Sequence, residues 1–347
     1  MQHNPRRNDS KKMKRTLIIA EAGVNHNGSI ELAKQLVDKA AVAGADYIKF
    51  QTFRTENLVA KSACLASYQK KNILASDNSQ FQMLKKLELS PAQHEELIDY
   101  CKNKGIRFFS TAFDLDSIDY LHSLDLGLWK IPSGEVTNYP FLKRIAGFNQ
   151  KTILSTGMCS IQDVRNAVEA LYKNGLSKEN LILLHCNTEY PTPFEDVNLK
   201  AMDTLKKEFG VEVGYSDHTR GIEIPIAAVA LGATVIEKHF TLDRNMEGPD
   251  HKASLEPEEL KAMVSAIRNI EQALGDGVKR VTESEKGNIA VARKSIVAAR
   301  DIRKGEIFDE NNLTVKRPGT GLSPMHWEDV LGQTAKRDFN EEDLIEL

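Results

Sequence analysis

Residues 17–21 read Leu-Ile-Ile-Ala-Glu, a short apolar run that ends in a carboxylate. A run of this length with polar residues on both sides is typical of a buried β-strand. Further runs of the same kind follow along the chain, and longer amphipathic segments separate most of them. The eight predicted strands are Leu17–Glu21, Tyr47–Gln51, Arg107–Phe113, Leu128–Ile131, Thr152–Ser155, Leu181–Asn187, Val211–Ser216 and Thr234–Phe240.

The segments between the strands carry helix signals. Ser90-Pro91-Ala92-Gln93 is a capping box with proline at the first helical position, and Gly105 is suited to end that helix. Ser160 is a cap for another predicted helix, and apolar residues repeat at helical spacing after Pro257. Eight strand–helix units over about 260 residues match the size of a (β/α)8 barrel. The sequence therefore predicts an α/β chain with a TIM barrel. An open doubly wound sheet is the alternative, although no G-x-G-x-x-G motif follows the first strand.

The last part of the chain differs from the barrel pattern. Gly275-Asp276-Gly277 and the polar stretch that follows are typical of a linker. Beyond it, Lys294–Ala298 and Leu313–Lys316 read as short strands, in a module so small that it would be marginally stable alone. We therefore divide the chain into a disordered basic tail at 1–15, a TIM-barrel catalytic domain at 16–275, a linker at 276–287 and a small β-rich domain at 288–347.

The composition excludes several classes of protein. Of the 347 residues, 41% are hydrophobic and 27% are charged, which is typical of a globular protein rather than a disordered one. A net charge of −3 argues against nucleic acid as a partner. The longest apolar stretch, 224–236, contains Pro225 and Gly232 and is too short to span a bilayer, and no signal-peptide core follows the basic start. Four cysteines without a C-x-x-C pair favour a reduced cytoplasmic protein.

Polar residues stand at the ends of the predicted strands, where a purely structural strand would be apolar. In a barrel, alternate side chains face inward and active sites lie at the C-terminal strand ends. A ring of buried ionisable groups without a ligand would cost several kcal/mol for each group. Internal ion pairs such as Glu21–Lys49 are the alternative, but they explain a single pair better than a whole ring. We therefore interpret the ring as a site. Its members are Glu21, Lys49, Gln51, Lys130, Ser133, Ser155, His185, Asn187, Ser216, His218, Glu237 and His239.

The residue types in this ring indicate its ligands. Two lysines and three serines favour an anionic, phosphate-bearing substrate, because ammonium groups and hydroxyls both bind phosphate. His218 and His239 end neighbouring predicted strands and could hold a divalent metal through neutral imidazoles. For each histidine alone, a hydrogen-bonded core residue is the alternative. With only two protein ligands, the metal would keep positions open for substrate, as a catalytic metal requires.

Several segments of the sequence also match the motifs of a known family. The barrel segments are Ile19–Gly28, Lys49–Thr52, Phe109–Phe113, Lys130–Glu135, Leu154–Met158, His185–Pro193, Gly214–His218, Glu237–Phe240 and Gly248–His251. On these residues the chain resembles the sialic acid (N-acetylneuraminate) synthase family of bacterial type, which includes the legionaminic acid synthases. The motif Lys-Arg-Pro-Gly-Thr-Gly at 316–321 is similar to that of the antifreeze-like (SAF) domain of these enzymes. The resemblance covers the chain, in order, from residue 16.

The resemblance implies a TIM barrel followed by a small β-rich antifreeze-like (SAF, β-clip) domain. It implies an N-acetylneuraminate synthase, which condenses phosphoenolpyruvate with N-acetylmannosamine and water and releases phosphate by C–O cleavage. The alternatives are a legionaminate synthase that uses 2,4-diacetamido-2,4,6-trideoxymannose and, more remotely, another phosphoenolpyruvate-dependent 3-deoxy-sugar-acid synthase. A non-catalytic sugar- or metal-binding barrel is the alternative from a different class.

The resemblance also implies a divalent metal, with Mn²⁺ expected first and Mg²⁺ or Co²⁺ as alternatives, and no organic cofactor. The expected partners are phosphoenolpyruvate, an N-acylated mannosamine-type sugar and a second copy of the chain. In the implied domain-swapped homodimer, the SAF domain of one subunit covers the barrel mouth of the other. No nucleic acid or membrane partner is expected.

Carried onto this sequence, the resemblance implies a role for each matching residue. His218 and His239 would bind the metal, and Glu135 would be the leading candidate for proton transfer. Phosphoenolpyruvate would be held by Lys49, Lys130, Ser133, Ser155 and Ser216, with Asn187 beside them and Thr188 as its alternative. The sugar would be contacted by Glu21, Asp250 and Tyr190, and by Arg317 from the other subunit.

Overall fold

The computed structural model describes residues 15–60, 62–63 and 79–347. The chain separates into two compact units between Gly275 and Asp276. The predicted tail at 1–15 lies outside the described residues, apart from Arg15.

The described part of the first unit contains eight parallel strands: β1 (Leu17–Gly23), β2 (Tyr47–Thr52), β3 (Arg107–Ala112), β4 (Leu128–Ile131), β5 (Lys151–Ser155), β6 (Leu181–Cys186), β7 (Glu212–Asp217) and β8 (Val235–His239). They are ordered β3-β2-β1-β8-β7-β6-β5-β4, and β3 and β4 at the two ends lie side by side with Cα atoms within 8 Å. Since β1 pairs with both β2 and β8, the sheet is a nearly closed barrel. The predicted TIM barrel is confirmed, with strand ends that differ by at most two residues.

The barrel interior has two layers, because alternate residues of each strand face inward. The lower layer is apolar and consists of Ile19, Phe109, Leu128, Ile153, Ile182, Leu184 and Val235. Two positions further along these strands, toward the C-terminal ends, polar residues such as Glu21, Lys130 and Glu237 take the same inward direction. The strand register places Glu21 beside Lys49 of β2 and beside His239 of β8. A polar layer therefore lies directly above an apolar one.

Helices cover the outside of the barrel: α1 (Ile30–Ala43), α2 (Thr55–Leu58), α3 (Gln80–Lys85), α4 (Pro91–Lys104), α5 (Leu115–Ser123), α6 (Tyr139–Ala146), α7 (Ile161–Lys173), α8 (Ala201–Phe209), α9 (Glu223–Ala230) and α10 (Pro257–Ala273). The predicted capping box of Ser90 and Gln93 begins α4, and Gly105 ends it at a φ of 73°. Ser160 caps α7 as expected. Outward-facing strand residues such as Ile48 and Phe50 form the main core with the helices. None of the helices that the structure describes is long and apolar enough to cross a membrane.

The second unit is built around a two-stranded antiparallel ladder of β9 (Ser295–Ala298) and β10 (Leu313–Lys316), close to the predicted strands. Two helices accompany it, α11 (Glu283–Ala292) and α12 (Trp327–Val330). Its own core is formed by Ile296, Ala298, Ile302, Phe308, Leu313, Val330, Ala335, Phe339 and Ile345.

One boundary differs from the sequence prediction. We expected a linker at 276–287, but α11 begins inside it at Glu283. The cause is a capping box in which Thr282 and Glu285 satisfy each other's backbone N–H groups. The Thr-x-x-Glu spacing that signals this box was present in the sequence, and Gly287 within the helix obscured it.

Candidate active site

A cavity of about 570 Å³ opens at the C-terminal end of the barrel. Its position is the one expected for the active site of a TIM barrel. Most of the predicted site residues line it: Glu21, Lys49, Lys130, Ser133, Ser155, Thr188, Tyr190, Ser216, His218, His239 and Asp250. Gln51 and Glu237, which the sequence placed in the ring without assigning them a role, line it too.

The floor of the cavity is a chain of buried ion pairs that runs from Glu21 through Lys49 and Glu237 to Lys130; we call it the buried charge chain. Lys49 Nζ lies 2.8 Å from Glu21 and 3.4 Å from Glu237. Lys130 Nζ donates to both Glu237 oxygens, at 2.8 and 3.0 Å. All four side chains are at most 4% exposed. The Glu21–Lys49 ion pair weighed from the sequence therefore exists, and it is part of the cavity floor.

Two hydroxyls add hydrogen bonds to the charge chain, whereas Glu21 Oε2 has no hydrogen-bond partner among the described residues. Lys49 donates to Thr111 Oγ1 at 2.9 Å, and Ser216 Oγ donates to Glu237 at 2.9 Å. Removing one partner from such a buried pair typically costs about 3–5 kcal/mol, because it leaves an uncompensated charge in the interior. The charges therefore depend on one another.

Burial and neighbouring charges set the pKa values in this chain. Burial raises the pKa of Glu21 to about 7, and the negative charge of Glu237 acts in the same direction. Burial also acts to raise the pKa of Glu237, but Lys130 and Lys49 outweigh it and hold that pKa below its ordinary value. The pKa of Lys130 is lowered by burial in spite of its carboxylate partner. Of the two carboxyl groups, Glu21 is the one that can change protonation near neutral pH.

A second group of hydroxyls surrounds the floor at β4 and β5. Ser155 Oγ is buried and has no hydrogen-bond partner among the described residues. Ser133 Oγ accepts from the backbone N–H of Gly157 at 2.9 Å. A Cβ atom at position 157 would lie only 2.7 Å from Thr188 Cγ2, so glycine is required for this approach. An unpaired hydroxyl in the same cavity as two ammonium groups is suited to an anionic ligand.

The two candidate metal ligands lie together on β8 and directly after β7. The ring centroids of His218 and His239 are 5.3 Å apart, and Tyr190 stacks on His218 at 4.1 Å. Burial lowers the pKa of His218 to about 4 and that of His239 well below its ordinary value, so both imidazoles are neutral. His218 Nδ1 bonds the backbone oxygen of Asn187, which leaves its Nε2 with the lone pair.

The donor set fits a divalent metal that keeps open coordination positions. His239 Nδ1 is buried without a hydrogen-bond partner among the described residues and lies 3.9 Å from Asp250. Neutral imidazoles are the form that binds metal. No group of three or more histidine, cysteine or acidic side chains in the described ranges is arranged to hold a metal by itself. Substrate oxygens or water would have to complete the shell.

A buried ion pair stabilises the backbone on both sides of His218. Lys238 Nζ donates to Asp217 Oδ2 and to the backbone oxygen of Thr219, each at 2.5 Å. Neither Lys238 nor Asp217 is exposed. The pair lies on the outer face of β7 and β8, since the alternation of the strands directs the flanking His218 and His239 inward. It therefore holds the candidate metal ligand in place from behind.

Strand β6 presents different residues from those expected. Its inward side chain at the cavity is Cys186, and Thr188 follows it. His185 bonds the backbone oxygen of Val197 at 2.8 Å, and Asn187 Oδ1 accepts from the backbone N–H of Glu189 at 2.7 Å. The structure thus brings Thr188 into the cavity and does not bring in the side chains of His185 and Asn187. The signal in the sequence was strand alternation, since Cys186 and Thr188 are two residues apart and face the same side.

Two further predicted residues lie elsewhere. Glu135 ends a short 3₁₀ turn at Ser133–Glu135 after β4 and accepts a hydrogen bond from Asn138 at 2.6 Å. Burial raises its pKa, but its side chain is not part of the cavity lining. Arg317 follows β10 in the second unit, where it is exposed and donates from Nε to the backbone oxygen of Ala292 at 3.0 Å.

Comparison with known proteins assigns the chain to a family. The family model described as NeuB family matches residues 36–279, and that of the SAF domain matches residues 293–346. The chain belongs to the NeuB family. This confirms the resemblance seen in the sequence, and with it the SAF domain.

Relatives cover nearly the whole of this NeuB-family chain. It is 57% identical to the N,N'-diacetyllegionaminic acid synthase of Campylobacter jejuni, over 96% of this chain and 99% of that one. It is 49% identical to the Legionella pneumophila protein of the same name, over 91% and 89% of the two chains. The solved N-acetylneuraminic acid (sialic acid) synthetase of Leptospira borgpetersenii is 36% identical, with a TM-score of 0.69 over 79% of this chain and 90% of that one.

Family membership fixes the class of reaction. The protein is a phosphoenolpyruvate-dependent nonulosonic acid synthase, a transferase, and phosphoenolpyruvate and an amino sugar are the substrates that the family implies. NeuB-family enzymes use a divalent metal. The non-catalytic alternative is therefore excluded.

The raised pKa of Glu21 predicts a pH dependence of stability. Because its folded pKa of about 7 exceeds the ordinary value of 4.5, ionisation opposes folding. The stability that the protonated carboxyl contributes is fully present below the unfolded pKa and is lost as pH rises through the folded pKa. Between pH 5 and pH 8, the unfolding free energy of the wild type should fall relative to that of Glu21→Gln by about 2 kcal/mol. Urea unfolding at both pH values measures it.

The matched control is Glu195→Gln, at an exposed position. It should show the same pH dependence as the wild type. An equal difference between wild type and Glu21→Gln at both pH values would contradict the assignment of this titration to Glu21.

Proposed function

We propose that the chain is an N,N'-diacetyllegionaminic acid synthase. It would condense phosphoenolpyruvate with 2,4-diacetamido-2,4,6-trideoxymannose and water, and release phosphate. The identity of 57% along nearly the whole chain to the Campylobacter jejuni enzyme of that name is the observation that supports this acceptor. The sequence alone favoured N-acetylmannosamine as acceptor, with the diacetamido sugar as the alternative. The relatives at 57% and 49% identity favour the alternative.

Phosphoenolpyruvate would bind over β4, β5 and β7. Its phosphate and carboxylate would contact the ammonium groups of Lys49 and Lys130. The hydroxyls of Ser133 and Ser155 would donate to the remaining oxygens, and so would that of Ser216 once it releases Glu237. The unpartnered Ser155 Oγ supports this placement. Thr188 replaces Asn187 as the residue beside them, because Thr188 lines the cavity.

The acceptor would lie between β8 and β1. Asp250, whose pKa burial raises to about 6, and Glu21 would bond its hydroxyls, and Tyr190 would line its pocket. Carbon 3 of phosphoenolpyruvate attacks the aldehyde carbon of the open-chain sugar. Water then adds at carbon 2, and the tetrahedral intermediate expels phosphate by cleavage of the C–O bond.

We assign proton transfer in this reaction to Glu21 rather than to Glu135. Glu21 lines the cavity and its pKa of about 7 lies near neutral pH, and a pKa close to the ambient pH makes an effective general acid or base. Glu135 was the leading candidate from the sequence, but its carboxylate is turned toward Asn138.

His218 and His239 would hold the divalent metal, with Mn²⁺ as the first candidate and Mg²⁺ or Co²⁺ as alternatives. The metal would supply Lewis-acid polarisation of the acceptor carbonyl and orient the substrates. The unpartnered His239 Nδ1 and the neutral state of both rings support these ligands.

The second unit would complete the site of another subunit. In a domain-swapped homodimer, the SAF domain of one chain would cover the barrel mouth of its partner, and Arg317 would contact the N-acyl group of the acceptor. The exposed position of Arg317 supports its availability for such a contact.

The acceptor assignment predicts a preference that kinetics can measure. With phosphoenolpyruvate and Mn²⁺ present, kcat/KM for 2,4-diacetamido-2,4,6-trideoxymannose should exceed that for N-acetylmannosamine by at least about tenfold, the discrimination that one or two apolar groups provide. N-acetylmannosamine 6-phosphate should be the poorest of the three. Equal or better use of N-acetylmannosamine would refute the proposed acceptor.

The metal assignment predicts a loss of metal affinity. His239→Gln should weaken Mn²⁺ binding more than about 100-fold, since loss of an outer partner alone costs about 10–100-fold. Titration of Mn²⁺ into the substrate-free protein, followed by electron paramagnetic resonance, measures it. The control is His185→Gln on β6, whose side chain is not part of the cavity lining, and this variant should bind Mn²⁺ normally. Unchanged affinity in His239→Gln would show that this ring is not a ligand.

The dimer proposal predicts complementation between inactive chains. Arg317→Ala should lower kcat/KM by about 10–100-fold, the value of a hydrogen bond to a charged group, whereas Arg303→Ala at another exposed position should not. Co-expression of Arg317→Ala with His239→Gln should restore about a quarter of the wild-type number of active sites. Half of the dimers are then mixed, and each mixed dimer has one intact site. Mixed dimers without recovered activity would place Arg317 outside the partner's site.

A further inference from the structure

The two sides of the active-site cavity differ in chemistry. Apolar side chains form one side, and we call them the apolar wall: Val24, Met83, Leu84, Leu87 and Phe113. They come from the segment after β1, from α3 and the turn after it, and from the segment after β3. The side above β4, β5 and β7 carries Lys130 and the hydroxyl groups of Ser133, Ser155 and Ser216. Pro132, Met158 and Pro249 also line the cavity, but the wall is the largest group of neighbouring apolar side chains in it.

The apolar wall is fixed in place by a cluster behind it and by polar bonds at its edge. Val24 and Leu87 are buried and pack with Phe53. Glu88 accepts from the backbone N–H of Thr55 at 2.7 Å, which attaches the turn after α3 to α2. Lys85 of α3 bonds Glu56 of α2 at 2.7 Å. The wall is a built surface of the barrel mouth.

Three members of the wall keep apolar area uncovered toward the cavity. Met83, Leu84 and Phe113 are half-buried, although they belong to the same cluster as the buried Val24 and Leu87. Apolar atoms of a ligand gain binding free energy when they cover such an area. A ligand hydroxyl placed there loses binding free energy, because it finds no hydrogen-bond partner.

The position of the wall is that of the far end of the acceptor. Glu21 of β1 stands beside His239 of β8, and Asp250 lies 3.9 Å from that histidine. A sugar whose carbonyl end meets the histidines and whose hydroxyls bond Glu21 and Asp250 continues over β1 toward β2 and β3. It meets the apolar wall there, because the lysine and hydroxyl side of the cavity is taken by phosphoenolpyruvate.

We infer that the apolar wall, through Met83 and Leu84, selects an acceptor with a deoxygenated carbon 6 and a second acetamido group. The methyl group at carbon 6 and the acetyl methyl at carbon 4 pack against the wall, whereas N-acetylmannosamine places hydroxyl groups on both of these carbons. The inference rests on the proposed function and names the residues that determine the acceptor within that same site.

The test changes the chemistry of the wall at nearly constant size. Leu84→Asn and Met83→Gln each lower the ratio of kcat/KM for the diacetamido sugar to that for N-acetylmannosamine by about tenfold. The KM for phosphoenolpyruvate stays at its wild-type value. Leu84→Met restores an apolar surface and keeps the wild-type ratio.

The matched control is Leu58→Asn. Leu58 is half-buried in the same cluster but does not line the cavity, so its variant keeps the wild-type ratio. If the wild type prefers the diacetamido sugar and neither wall variant changes the ratio, the wall is not the selecting surface. An equal change in Leu58→Asn would reduce the effect to loss of packing. A wild type that prefers N-acetylmannosamine contradicts the proposed acceptor itself, and the inference with it.

Discussion

The buried charge chain is the interaction on which the rest of the site depends. It places two carboxylates and two ammonium groups at the centre of a barrel, directly above an apolar layer. Such groups are tolerated because each is paired with an opposite charge, so none can be removed without leaving the charge of its neighbour uncompensated. The four charges of the buried charge chain sum to zero only while Glu21 is ionised. Its pKa of about 7 lets the site lose one negative charge when an anionic substrate arrives.

This balance supports the proposal that the lysines bind phosphate although carboxylates already neutralise them. An incoming phosphate adds negative charge beside Glu21 and Glu237, and Glu237 is held ionised by Lys130 and Lys49. Glu21 is the weaker acid of the two, so protonation at this position is the smallest change that restores neutrality. In the proposed reaction, the same proton lies next to the acceptor carbonyl. In this proposal Glu21 both balances the charge of the site and transfers the proton.

The polar layer was predictable from sequence wherever strand alternation was unbroken. Glu237 and His239 are two residues apart on β8, and Lys49 and Gln51 are two apart on β2, so both pairs share an inward face. On β6 the prediction weighed polarity above alternation and chose Asn187, whereas the inward position belongs to Thr188. The apolar wall could not be predicted, since it depends on where α3 and the turn after it pack at the barrel mouth, and helical periodicity does not determine that position.

The charged side and the apolar side of the cavity are carried by different parts of the fold. The groups that would hold phosphoenolpyruvate lie on β2, β4, β5 and β7, where each inward residue is fixed by strand register. The wall is carried largely by α3 and the turn after it, outside the barrel strands, and its attachment to α2 uses the exposed pair Lys85 and Glu56 and the carboxylate of Glu88. Substitutions in that segment change apolar area at the mouth without moving a strand or breaking the buried charge chain. In the proposed arrangement, the chemistry common to the reaction resides in the strands, and the choice of acceptor resides in a segment that can vary at small cost in stability.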